Sequence, residues 1–406
     1  MAASAAKPRR VAAPIRLPYA RHAVGRRERA AVARALASAW IAQGPLVAEF
    51  EAGLARAIGV RHALAVSSGT SALAVALAAL GVGAGDEVIV PPLTFAATAN
   101  AVLQCGATPV FADVAPDTLN LDPAQVAARR TRRTRGAIAV HYAGHPADVD
   151  AIRDALGPRR FVLEDACHAL GATLHGRAAG ALGDAACFSF HPAKLITTGE
   201  GGAVATGDGA IAAAARQLRD HGIERDAAGR VGLGLPPRWR DEERGDWVYE
   251  MHRLGANHRL AEPAAALGLA QLGRLGPFLA RRRALARAYQ RDLAGEPLLE
   301  LPAERSGAVS AWHLYPVRVR EGALRGGRAA LFAALRARGI GVQVHYVPVH
   351  LHPYYRGRFG LRFGDYPEAE RAYLHLVSLP LFPSLLERDR AWVVECVRDA
   401  LRRLAR

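Results

Sequence analysis

The sequence predicts an α/β fold: a mostly parallel sheet wrapped by helices, followed by a smaller C-terminal αβ region. Three observations carry this. Between about 60 and 220, short apolar runs alternate with Ala-rich stretches of helical character. Clusters of Ser, Thr, Gly and Asp stand at the ends of the apolar runs, where open parallel sheets gather their ligands. A second set of strand-like and helix-like runs begins near 308.

The candidate strands are HALAVSS (62–68), EVIVPP (87–92), TPVFAD (108–113), AIAVHYAG (137–144), RFVLED (160–165), ACFSFH (186–191) and GGAVAT (201–206). Each is short and apolar, and helical stretches such as SALAVALAAL separate them. Residues 223–247, rich in Gly, Pro and charge, read as an irregular excursion, a lid or a subunit contact. Residues 261–293 carry apolar side chains at three- and four-residue spacing and predict one long helix. HLYPVRV, AALFAALRARGI, VQVHYVPV and a last helix make up the second αβ region. The expected organisation is a basic tail over 1–16, a large domain over 17–275 that includes the excursion, and a small domain over 276–406.

Composition narrows the function classes. No apolar run is long enough to cross a membrane as a helix. Cys105, Cys167, Cys187 and Cys396 form no C-x-x-C pair and sit among small or apolar residues, which predicts buried, reduced thiols in a cytoplasmic protein. The formal charge is +16, but it is spread along the chain. The densest cluster, RRTRRTR at 129–135, has no interleaved aromatics. A solvated face is favoured, an anionic small substrate comes second and nucleic acid a distant third. His345, His350 and His352 match no common zinc spacing, and Pro348 and Pro353 break any helix that could align them, so no metal is expected.

The chemistry centres on one residue. The chain has 51 arginines and two lysines, Lys7 and Lys194. Guanidinium stays protonated and cannot act as a nucleophile at neutral pH, whereas a desolvated lysine can. Lys194 follows a strand and precedes the glycine-rich TTGEGG. Lysine amines condense with carbonyls, and pyridoxal phosphate is the commonest carbonyl a protein holds this way. That cofactor needs an acid at its pyridine nitrogen, donors for its phosphate and a flat group on its ring. Asp165, at a strand end, suits the first, with a helix cap as rival. Ser68, Gly69 and Thr70, opening a helix, suit the second, with ordinary capping as rival. Phe95 suits the third, with simple core packing as rival. Together the four elements are unlikely to coincide by chance.

At this point the chain resembles the DegT/StrS-type sugar-nucleotide aminotransferases. SSGTSAL, PPLTFAATAN, EDACHALGA, SFHPAKLITTGEGG, LGANHRLAEPAAALGLAQL and VHYVPVHLHPYY carry the resemblance, which spans about 17 to 395. LPYARH and YEMHRLG are similar to the branch of pseudaminic acid biosynthesis. The resemblance implies fold-type I, with a seven-stranded sheet and a smaller C-terminal domain, in a homodimer with shared active sites. It implies covalent cofactor attachment at Lys194, a pyridine partner in Asp165, His168 near the ring hydroxyl, Phe95 on the ring, and phosphate contacts from Gly69, Thr70 and Ser189. Asn257 would reach the phosphate in the neighbouring subunit. Tyr19, Gln43, Asn257, Arg259, His345 and Tyr346 would meet a UDP-linked keto sugar or the L-glutamate donor. Relatives read G-(Tyr/Phe)-N-Y-R where this chain has Gly255-Ala256-Asn257-His258-Arg259, so two aromatics are replaced. Related dehydratases carry histidine in place of the lysine, which disfavours that branch. The remaining alternatives are transamination at C3 or C4 of another UDP- or dTDP-sugar, and an inactive cofactor- or nucleic-acid-binding regulator.

Overall fold

A computed structural model describes residues 14–406; the expected basic tail lies largely outside the described residues. The centre is a seven-stranded sheet. In chain order its strands are β1 (His62–Val66), β2 (Glu87–Val90), β3 (Thr108–Phe111), β4 (Thr134–Val140), β5 (Phe161–Asp165), β6 (Ala185–Ser189) and β7 (Gly202–Thr206). They lie in the order β1-β7-β6-β5-β4-β2-β3. All run parallel except β7, which pairs antiparallel with β1 and β6.

The strands are predominantly apolar on both sides because helices cover both faces. Leu64 and Val66 of β1, Cys187 of β6 and Val204 of β7 pack into one core. The intervening Ala63, Ala65, Ala186, Phe188, Ala203 and Ala205 pack into another on the opposite face. This is the two-residue alternation of a strand, hidden in the sequence because neither side meets water.

A smaller C-terminal unit has its own core, built from Leu285, Tyr289, Val317, Leu331, Val377, Val397 and neighbours. It holds a three-stranded antiparallel sheet of Leu299–Glu300, Tyr315–Val319 and Leu376–Leu379, flanked by the helices Gly327–Ala337 and Glu387–Leu404. Leu17 packs into this same core and pairs with Ile340, so the N-terminal segment crosses onto the C-terminal unit. That crossing carries Tyr19 to the cavity between them.

Two expectations are corrected. The helix over 261–293 is two helices, Glu262–Leu272 and Leu275–Leu293, separated at Gly273 and Arg274. Pro277 has no N–H to offer the preceding turn, a lack that costs nothing in the first turn of a new helix. VQVHYVPV is no strand either. Only Gln343 bridges to Ser378, after which the chain leaves the sheet and inserts His345 and Tyr346 into the cavity. The excursion over 223–247 is irregular, as expected. It is closed at its base by pairing of Ile223–Glu224 with Glu250–Met251 and by Glu250, which accepts from Val231 and Gly232 N–H at 2.8 Å. Among the described residues no helix is long and apolar enough to cross a membrane.

Candidate active site

The carboxyl ends of β1, β4, β5 and β6 open onto a cavity of about 440 Å³, within the usual range for small-molecule sites. Of the residues singled out in the sequence, Tyr19, Ser68, Gly69, Thr70, Phe95, Asp165, His168, Ser189, Lys194, His345 and Tyr346 line it.

Lys194 sits in the turn after β6, its backbone N–H bonded to His191 O at 2.8 Å. Its amine has no ion-pair or hydrogen-bond partner among the described residues. Burial lowers its affinity for a proton, while Cys167 and Asp165 pull the other way. The result is an amine poised to be free at a lower pH than an ordinary lysine.

Asp165 ends β5 and is buried. Thr98 Oγ1 donates to one carboxylate oxygen at 2.8 Å, and Cys167 N–H to the other at 3.3 Å. Thr94 lies 2.8 Å from Thr98, extending the chain of hydroxyls behind the acid. Asp165 heads no helix, so the capping alternative is set aside.

Ser68 is the N-cap of the helix Gly69–Ala79, its Oγ accepting from Ser71 N–H at 3.0 Å. The N–H groups of Gly69 and Thr70 carry no intrahelical partner and face the cavity mouth with the helix dipole behind them. A Cβ at Gly69 would lie 2.8 Å from Ser189 Cβ, so β6 and this helix approach too closely for a side chain there. Phe95 is 62% exposed at the cavity wall, its ring centroid 6.0 Å from that of Tyr346. It is therefore no core aromatic.

His168 and Tyr346 meet at 3.1 Å between Nε2 and Oη. His345 Nδ1 lies 2.8 Å from Ser378 Oγ, and burial with the nearby Lys194 holds its imidazole down to about 3. His350 turns away to Glu370 at 2.8 Å, so the three histidines of this segment do not converge. Three predicted residues stand outside the cavity of this chain. Gln43 is half-buried in the turn whose Gly44, Leu46 and Val47 N–H groups bond Glu262. Asn257 is exposed and bridges Asp220, which also pairs with Arg259.

An unpartnered amine, a buried acid held by donors, and a helix N-terminus too close to β6 for any side chain fit a cofactor with an aldehyde, a basic ring nitrogen and a phosphate. The profile of the DegT/DnrJ/EryC1/StrS aminotransferase family matches residues 22–398. The chain belongs to that family. It is 41% identical over 388 residues to the spore coat polysaccharide biosynthesis protein SpsC of Bacillus subtilis, covering 95% of this chain and 97% of the relative. The putative sugar aminotransferase Spr1654 of Streptococcus pneumoniae, solved in its PMP form, superposes with a TM-score of 0.87 at 29% identity, covering 95% of this chain and 99% of that one. PseC of Helicobacter pylori, an aminotransferase involved in the biosynthesis of pseudoaminic acid, gives a TM-score of 0.86 at 29% identity, covering 96% and 100%.

As a DegT/DnrJ/EryC1/StrS aminotransferase, the chain is a pyridoxal-phosphate-dependent sugar aminotransferase of fold-type I. Sequence reasoning missed Thr98, Cys167, Glu200 and His313 as site residues, all on the cavity wall. Thr98 lay inside the quoted PPLTFAATAN, but a lone threonine in a helix carries no signal until its carboxylate partner is known.

Proposed function

We propose that the protein transfers the amino group of L-glutamate to C4 of a UDP-linked 4-keto-6-deoxy-N-acetylhexosamine, in pseudaminic acid biosynthesis in the cytoplasm. The observation that carries the reaction type is the unpartnered Lys194 amine in a cavity that also holds the buried Asp165. The likeness to PseC and the motifs LPYARH and YEMHRLG support the acceptor.

Lys194 would hold the cofactor covalently. Gly69, Thr70, Ser68 and Ser189 would hold its phosphate, Phe95 would cover its ring and His168 would face the ring hydroxyl. When bound, pyridoxal phosphate supplies the aldehyde that takes up the amino group and the ring that draws off the electron pair left on carbon. Asp165 keeps a proton on the pyridine nitrogen, and Thr98 and the Cys167 N–H fix the direction of its carboxylate. Once released from the cofactor, Nζ of Lys194 would accept the proton from Cα of glutamate and, in the second half-reaction, would deliver one to C4 of the sugar. Glutamate is oxidised to 2-oxoglutarate, and the ketone is reduced to an amine.

Among the described residues no arginine lines the cavity, so the cations for the nucleotide's diphosphate would come from beyond it. This fits a homodimer with shared sites, in which Asn257, Arg259 and Gln43 serve the neighbouring cavity. The exposed Trp40, Ile41, Trp247 and Met251 are the apolar surface such a partner would cover. Tyr19, His345 and Tyr346 would face the sugar.

The greater identity to SpsC, 41% against 29% for PseC, favours a second reading, in which another UDP- or dTDP-linked keto sugar is aminated at C3 or C4. Incubation with glutamate and a panel of UDP- and dTDP-linked keto sugars, followed by mass and NMR analysis of the product, separates the two. Preference for a dTDP sugar, or amination at C3, rejects the first reading and leaves the reaction type in place.

A further inference from the structure

Three chain segments meet at Gly144, in the turn after β4. Its φ is +97°, and a Cβ there would lie 2.9 Å from His168 O, from Trp312 N and from His313 N. Ala311 N–H donates to Gly144 O at 2.9 Å, and Leu314 N–H donates to Ala143 O at 3.2 Å. The segment before Tyr315–Val319 is thereby stapled against the large domain. Trp312 sits in the left-handed region at φ +50°, uncommon for an aromatic residue. Arg282, fully buried and with no carboxylate partner among the described residues, clamps this turn. Its Nη1 donates to Trp312 O and His313 O at 3.2 Å and to Leu381 O at 2.9 Å.

The outcome of this construction is one placement. The His313 ring is delivered to the cavity wall, 4.3 Å from the ring of His168. The Nδ1 atoms of both imidazoles are buried without a hydrogen-bond partner among the described residues. A packing residue at this position would be served as well by a leucine. Two imidazoles, each with an unsatisfied nitrogen, point instead to a polar role.

We infer that His313 is a positioning residue, which fixes the orientation of the His168 ring and hence the edge that His168 presents to Tyr346 and to the cavity. The inference rests on the proposed placement of His168 beside the cofactor's ring. Charge supports the geometry. Burial first, then Lys194, His345 and His141, disfavour a proton on His168. Burial first, then His168, Lys194, Arg282 and His345, disfavour one on His313. Among the described residues, Tyr19, Asp165, Cys167, His191, Glu200 and Tyr346 are the other titratable groups lining this cavity. Rings this close cannot both carry a charge, so the state of one constrains the other.

The test is a double-mutant cycle on the holoenzyme, with His313→Ala, His168→Gln and the pair, read by the pH dependence of the cofactor's visible absorbance. His313→Ala is expected to move the midpoint by about half a pH unit or more and to give no further shift when His168 is already glutamine. A wild-type midpoint in His313→Ala, with only thermal stability lowered, would mean a packing role and overturn the inference. Equal shifts in both backgrounds would overturn the coupling to His168. An unmoved midpoint in His168→Gln alone would overturn the placement of His168 and the inference with it. Should His313→Ala fail to fold, His313→Gln, of similar volume, takes its place with the same outcomes.

Discussion

At the scale of single residues, two substitutions separate charge from chemistry. Lys194→Arg keeps a cation in the cavity but offers no amine that can bond the cofactor or carry a proton. Turnover should fall at least about a thousandfold, and borohydride treatment should leave no cofactor mass on the chain. Substantial transamination by that variant would remove Lys194 from the reaction. In Asp165→Asn the amide oxygen can still accept from the Cys167 N–H while the amide nitrogen donates to the Thr98 hydroxyl, so the fold should survive. What is lost is the negative charge that would face the ring nitrogen, and kcat should drop about a hundredfold or more; a wild-type rate would show that the ring needs no such partner here. Both residues were legible in the sequence because each supplies something its neighbours could not: the one interior amine in an arginine-rich chain, and an acid closing an apolar run. His313 and Arg282 were not. Their significance lies in a ring-to-ring distance of 4.3 Å and in three backbone carbonyls, two of them in the segment before Tyr315 and one at Leu381. Sequence spacing encodes neither.

At the scale of elements, the decisive contact is the approach of the helix Gly69–Ala79 to β6. Alanine at 69 would put a Cβ 2.8 Å from Ser189 Cβ and 3.3 Å from Cys167 Sγ. Helix and strand must separate, and the N–H groups that would hold the phosphate move with them. Gly69→Ala should weaken cofactor binding about tenfold or more, roughly 1.4 kcal/mol, as measured by reconstitution of the stripped enzyme. Gly83→Ala is the control, since none of the described residues lies within 4 Å of a Cβ there; an equal loss in both variants would sever the link to the close approach. The strands were legible because burial on both faces keeps consecutive residues apolar, as in Val88, Ile89 and Val90 of β2. The segment VQVHYVPV was misread for the same reason. Its alternation is that of a strand, yet His345 and Tyr346 are drawn into the cavity by bonds to Ser378 and His168 that appear only once the small unit has folded. The break between Leu272 and Leu275 is a smaller case, marked by Gly273 and Pro277 but hidden by continuous apolar spacing.

At the scale of the whole molecule, the active-site wall sets how stability responds to acid. His168, His313 and His345 are all buried and all held below the ordinary imidazole value of 6.5, with burial the largest cause in each. A base whose folded pKa is depressed leaves the unfolded chain holding more protons at low pH. Its contribution is fully present above 6.5, and is lost as pH falls toward the folded value, which for His345 is about 3. One pH unit below the unfolded pKa, each such imidazole costs about 1.4 kcal/mol. Glu28 acts in a separate window. Burial raises its carboxyl, but the bond from Arg274, the Gly25 N–H, its own backbone and the Arg274 charge together hold it at about 2, so its contribution is lost only between about 4.5 and 2. The unfolding free energy, followed by urea titration, should therefore fall between pH 7 and 5, well before the carboxylates protonate. His313→Gln removes one of these imidazoles, while His145, His258 and His350 are also depressed by burial, and should make that slope shallower, whatever it does to absolute stability. The comparison is of slopes, so a destabilised variant remains informative. A wild-type slope near zero over this range would show that the wall opens to admit protons without unfolding, and an unchanged slope in His313→Gln would show that this ring is already solvated.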